Sequence, residues 1–136
     1  MFEILEHPAD IGFRAWGATA EEMFESAALA LEAIAFEPQE VRPHSAYPIA
    51  VTGDDCESLL VNWLSEVLYY LDARRVLMCR FRVERLGPQS VVAQGWGEPL
   101  DPARHRAKVI VKGVTYHQLK VECAGGVWCA TVYLDI

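Results

Sequence analysis

The stretch VLMCRFRVERLGPQSVVAQGW, Val76 to Trp96, decides the fold. Two β-rich runs, Val76 to Leu86 and Gln89 to Trp96, flank Gly87-Pro88, a pair that reverses the chain and predicts an antiparallel hairpin. Downstream, Lys108 to Lys112, Tyr116 to Cys123 and Val127 to Asp135 predict three more strands, the last two joined by a tight turn at Ala124-Gly125-Gly126. Upstream, Phe2 to His7, Ile11 to Trp16 and about Tyr47 to Val51 are also strand-like, with Gly12 and Gly17 placed as turn or bulge residues.

Two helices interrupt these strands. Thr19-Ala20-Glu21-Glu22 is a capping box, after which Met23, Ala27, Leu31 and Ile34 recur at helical spacing, with Phe24, Ala28 and Ala35 beside them. Such a stripe is core rather than a cofactor box. Pro38 and Pro43 prevent the helix from continuing through Glu37 to His44. Asp54 with Glu57 is a second capping signal, and Leu60, Trp63, Leu64, Val67, Leu68 and Leu71 give the second helix a buried face. Helices and strands that do not alternate regularly predict an α+β two-layer sandwich, an antiparallel or mixed sheet covered by two helices.

The chain has 136 residues, a length that suits a single domain spanning 1–136, since domains commonly hold roughly 100 to 150 residues. With 52% hydrophobic and 23% charged residues it has the composition of a folded globular chain and not of a disordered one. No apolar run approaches the ~20 residues of a membrane span and no signal-peptide pattern opens the chain, so a cytoplasmic protein without membrane contact is expected. The four cysteines, Cys56, Cys79, Cys123 and Cys129, form no Cys-x-x-Cys pair and read as reduced core thiols in preference to a zinc site or disulfide.

A formal charge of −7, from 12 basic and 19 acidic residues, argues against strong direct binding of nucleic acid. A basic protein partner or a metal ion fits better. Arg74, Arg75, Arg80, Arg82 and Arg85 alternate in part with Phe81 and Val83, and read as the wet face of a strand or as a small docking patch.

The two ends of the chain draw attention next. His7-Pro8-Ala9-Asp10-Ile11-Gly12-Phe13 places one acid in an otherwise apolar stretch, and the sequence closes on Leu134-Asp135-Ile136. If the last strand stays in the sheet to its final residue, the Ile136 α-carboxylate lies beside the Asp135 carboxylate, and like charges that close need a counter-ion. Oxygen groups from Asp10, Asp135 and Ile136 suit a hard divalent cation, Ca²⁺, Mg²⁺ or Mn²⁺. By itself Asp10 reads first as a turn or cap acid.

His-x-Ala-Asp-x-Gly near the start, Val-Lys-x-Val-Thr-Tyr-His from Val111 to His117 and the closing Asp-Ile together resemble the archease family, small acidic proteins that activate RtcB-type RNA ligase in tRNA splicing and RNA repair. The resemblance runs from about Glu6 to Ile136. Pro8 stands where the family usually has Thr, and Gly113 where it usually has Ala. It implies a non-catalytic protein cofactor that promotes ligase guanylylation and multiple turnover and broadens nucleotide use. It also implies that Asp10, Asp135 and Ile136 hold the metal, and it makes an RtcB-type RNA ligase the expected partner.

Lys112 and His117 read as solvent-facing or, by the resemblance, as neighbours of the acidic site. Glu98, Asp101 and His105 lie in a Pro-rich segment similar to the family's Gly-Glu…Asp…His, readable as plain surface or as a docking edge. No Gly-x-Ser-x-Gly, P-loop, dinucleotide fingerprint or His-Glu-x-x-His occurs, so no catalytic residue is assigned. A stand-alone metal-dependent hydrolase of a small phosphorylated substrate and a general chaperone or adaptor are the rival readings.

Overall fold

The computed structural model describes residues 1–7 and 10–136; Pro8, singled out above as a departure from the family pattern, lies outside them. β1 (Phe2–His7) and β2 (Asp10–Gly17) lead into α1 (Ala20–Ala35), a 3-10 turn (Pro38–Glu40), β3 (Ser45–Thr52) and α2 (Cys56–Asp72). β4 (Val76–Leu86), β5 (Ser90–Pro99), β6 (Gly113–Val114), β7 (Lys120–Ala124) and β8 (Val127–Asp135) complete the order. The α+β architecture expected from the sequence is present, with its strands divided between two sheets. One runs β1-β2-β8-β6 with β7 also on β8, the other β3-β5-β4, and all pairings among the described residues are antiparallel.

Both helices pack across both sheets: α1 rests on β1, β2, β8 and β4, and α2 on β3, β4, β5, β6 and β7. The predicted stripe of α1 is fully inside, with Met23, Ala27 and Leu31 at 0% exposure. Trp63 of α2 fills the centre, its indole N–H donating to the Phe24 carbonyl at 2.9 Å, so the one polar atom of a large apolar side chain is satisfied.

Capping follows the sequence at α1 and shifts by one residue at α2. Thr19 accepts from the Glu22 N–H at 3.1 Å while the Glu22 carboxylate reaches back to the Ala18 N–H at 2.9 Å. At α2 the cap is Asp55, not Asp54: its Oδ1 accepts from the Ser58 N–H at 2.8 Å and the Ser58 hydroxyl accepts from the Asp55 N–H at 3.1 Å. The spacing of the box was right, but Ser58 fills the returning position that Glu57 was expected to take.

The outer edge of β4 is covered by the helix. Glu32 accepts from the Met78 N–H at 3.2 Å and Glu25 from the Val83 N–H at 2.8 Å, and register shifts begin at these two residues. Two carboxylates on α1 thus satisfy N–H groups that an exposed edge would offer to another chain.

Several sequence expectations need correction. Lys108 to Lys112 forms no strand. Val109 and Val111 do turn inward and Ile110 outward, but the Lys108 N–H is spent on the Ala35 carbonyl at the end of α1, at 2.8 Å. Regular pairing is confined to Gly113–Val114. The strand expected from Tyr116 starts only at Lys120, because the chain turns at His117 and Gln118, the latter at φ 51. Gly125 and Gly126, at φ 59 and 78, make the two-residue turn before β8. Gly12 is neither turn nor bulge; it lies within β2, where an added Cβ would sit 2.7 Å from the Tyr133 ring. The cysteines are free, as expected, but not core: Cys56 and Cys123 are exposed, Cys79 and Cys129 half-buried.

Candidate functional site at the acidic end of the five-stranded sheet

Alternation along β2 and β8 decides which side chains reach solvent. Phe13, Ala15, Ala130, Val132 and Leu134 are buried at 0 to 1% exposure, so Asp10, Gly12, Tyr133 and Asp135, at the intervening positions, belong to the outer face. β2 and β8 pair as far as Ile11 with Leu134, and one further step of that register sets Asp10 level with Asp135. Two acids 125 positions apart in the chain are therefore brought to neighbouring strand ends. Asp10 is half-buried; Asp135 and Ile136 are exposed.

The segment after Val111 closes the other flank. The Lys112 N–H donates to the Asp135 carbonyl at 2.7 Å, and Gly113 pairs with Asp135. Thr115 binds the Tyr133 carbonyl twice, through its hydroxyl at 2.8 Å and its N–H at 3.2 Å, and the Thr115 hydroxyl accepts from the His117 N–H at 3.2 Å. The His117 ring meets the Tyr133 ring edge-on at 6.2 Å, over the bare Gly12. Sequence reasoning missed Tyr133, although the bulk of a tyrosine beside a glycine in a paired strand was a signal. Lys112 contributes its backbone, and its ammonium is in no ion pair among the described residues.

The chemistry of this donor set can be tested against a metal. Among the described residues no group of three or more His, Cys, Asp or Glu side chains is placed to hold an ion. What the sheet end offers is the carboxylates of Asp10 and Asp135 and a main-chain oxygen of Ile136. That set fits a hard divalent cation that keeps most of its water, and it does not fit a soft or tightly caged ion.

Glu98, Asp101 and His105 do not join this end. Glu98 and His105 form a buried staple instead, with the half-exposed Asp101 at its edge. The Glu98 carboxylate accepts from the Arg42 N–H at 2.8 Å, from the Arg104 guanidinium and from His105 Nε2 at 3.0 Å. His105 Nδ1 accepts from the Asp101 N–H at 2.9 Å, which places the ring proton on Nε2, pointing at Glu98. Burial opposes ionisation of Glu98, but the Arg42 N–H and the bonds from Arg104 and His105 outweigh it and hold the carboxyl at about 2. The staple fixes residues 98 to 105, the stretch from which the chain runs on to Lys112 and Asp135.

The Archease protein family model matches residues 2–136. The chain belongs to the archease family. Named archeases are similar along nearly their whole length: that of Methanosarcina mazei is 41% identical over 99% of this chain and 95% of its own, and that of Sulfurisphaera tokodaii 36% identical over 99% and 98%. The solution structure of Methanobacterium thermoautotrophicum protein 1598 matches with a TM-score of 0.83 at 31% identity, covering 99% of this chain and 98% of that one. A crystal structure of an archease and possible chaperone from Thermotoga maritima shares the archease fold, with a TM-score of 0.67 at 20% identity over 97% and 94%. No helix among the described residues is long and apolar enough to cross a membrane.

Proposed function

We propose that this archease is a non-catalytic activator of an RtcB-type RNA ligase in tRNA splicing and RNA repair, acting in the cytoplasm. It promotes guanylylation of the ligase and multiple turnover, and broadens the nucleotides the ligase accepts. The observation that supports this most is the strand register that sets Asp10 level with Asp135 on the outer face, at an exposed sheet end. Acids so placed serve a partner's site more readily than a pocket of this chain's own.

In this reading Asp10, Asp135 and Ile136 hold a divalent ion, Ca²⁺, Mg²⁺ or Mn²⁺, and present it to the ligase's nucleotide pocket. A hard cation there supplies positive charge next to phosphate oxygens, where charge and positioning govern phosphoryl-type transfer. This chain's residues orient and hold: the Lys112 N–H fixes the Asp135 backbone, and Thr115 anchors the neighbouring turn through the Tyr133 carbonyl. No nucleophile on this chain is required.

Single-turnover guanylylation of the ligase with GTP and Mn²⁺ tests the reading. Wild type is expected to accelerate the step, and Asp10→Asn or Asp135→Asn to lose at least about tenfold of that acceleration, the order expected when one charged group is removed from such a site. A folded wild type that leaves the rate unchanged overturns the proposal. Neutral variants as active as wild type remove the acidic end from it.

A further inference from the structure

The outer face of the three-stranded sheet contrasts with the acidic chain that carries it. Strand register places Ala46, Trp96 and Arg80 in one rung, Pro48, Gln94 and Arg82 in the next, and Ala50, Val92 and Arg85 in the third. The alternate residues Ile49, Phe81, Val83, Val91 and Ala93 are buried, which turns all three rungs outward. The rungs contain no acid; Glu84 stands at the register shift between Val83 and Arg85. The Arg80 guanidinium lies 4.8 Å over the Trp96 ring. Among the described residues, none of the three arginines is in an ion pair. A protein of net charge −7 thus concentrates three unneutralised positive charges along one strand.

We propose that this face binds the backbone of single-stranded RNA. Alternate residues of a strand are roughly 6.6 Å apart, a step comparable with that between successive phosphates of an extended chain, so Arg80 and Arg82 address neighbouring phosphates and Arg85 the next. The Arg80–Trp96 stack offers a flat cationic plane to a base, and the Gln94 amide offers both a donor and an acceptor. Ala46, Pro48 and Ala50 form a small, uncharged shoulder that lets the strand lie close. An acidic peptide would use the charges but not the stacking plane. Three phosphate contacts on a negative protein make a weak contact that positions RNA, consistent with the composition's argument against a strong grip. The proposal uses neither Asp10 nor Asp135, so it stands apart from the ligase reading.

The test is fluorescence anisotropy of a labelled, unstructured oligoribonucleotide titrated with the full chain at low salt. Saturable binding is expected, falling with a log–log salt slope of about −2, from three phosphates at about −0.7 each. Arg82→Gln with Arg85→Gln should weaken it about tenfold and Trp96→Leu about fivefold, the lower end for a lost stacking contact. Lys120→Ala, on the other sheet, should leave it unchanged, with circular dichroism verifying the fold of each variant. Absence of saturable binding, or equal loss in Lys120→Ala, overturns the proposal. Tighter, arginine-dependent binding of poly-glutamate assigns the face to an acidic protein and overturns it as well.

Discussion

Among the described residues two glutamates are buried, and their surroundings drive them in opposite directions. Glu98, 8% exposed, accepts from the Arg42 N–H, Arg104 and His105, and its carboxyl is held at about 2. Glu32, 2% exposed, accepts only from the Met78 N–H at 3.2 Å, leaving Oε2 buried without a hydrogen bond. Burial therefore dominates and pushes Glu32 up to about 8, against the weaker pull of the Met78 N–H. The lesson is that depth alone does not decide the charge of a buried acid. The number of donors aimed at it does.

The largest test of this contrast is the pH dependence of stability. Glu32 is raised above its usual 4.5, so the folded state binds the extra proton, and stability is fully present below 4.5 and lost as pH rises toward 8. From pH 5 to 9 the loss has an upper bound of about 4 kcal/mol, at about 1.4 kcal/mol per pKa unit. Glu32→Gln keeps an acceptor for Met78 and cannot ionise, so its urea midpoint is expected to stay flat over that range. A wild-type profile as flat as the variant's would break the comparison.

Glu98→Ala is expected to cost about 3 kcal/mol at pH 7, measured by urea unfolding, because it strands a buried histidine donor and the Arg42 N–H. Glu98 runs with the opposite sign: lowered from its usual 4.5, it stabilises above that pH, and the contribution fades as pH falls toward 2. His105→Phe keeps bulk but removes one donor to Glu98 and the acceptor for the Asp101 N–H; about 1 to 2 kcal/mol should be lost by the same measurement. Arg104→Ala is expected to cost least, about 1 kcal/mol or below, since the side chain is 33% exposed and water screens the pair. If Arg104→Ala cost as much as Glu98→Ala, the staple would owe its strength to one ion pair rather than to the sum of its donors.

The two glutamates also differ in how legible they were. Glu98 stood in a polar, proline-flanked segment that invited attention, but the sequence left its role open between surface and docking edge. The actual donors come partly from Arg42, a backbone group more than fifty residues away that no local pattern reveals. Glu32 was passed over within an alanine- and leucine-rich run, although a single charge in an otherwise apolar helical turn was itself a signal. Helix stripes, the hairpin at Gly87-Pro88 and the two-residue glycine turn were readable because they depend on local periodicity and backbone preference. Residues 108 to 112 alternate as a strand does, and the alternation is real, yet one N–H bonds a helix end. Periodicity reports which side chains are inside, not what the backbone pairs with.

By itself, then, the sequence determined the α+β class, both helices with their buried faces, and the pairing of motifs that marks an archease. These are consequences of spacing along the chain, and spacing is written in the sequence. Only the tertiary structure decided that the strands divide into two sheets, that Asp10 comes level with Asp135, and that three arginines share a face with Trp96 while Glu98 is sealed in a staple. Each depends on register between segments remote in sequence, and a shift of one residue turns every side chain of a strand to the other face. Local propensity cannot supply that choice, because it is made by the core that the two helices and both sheets close together.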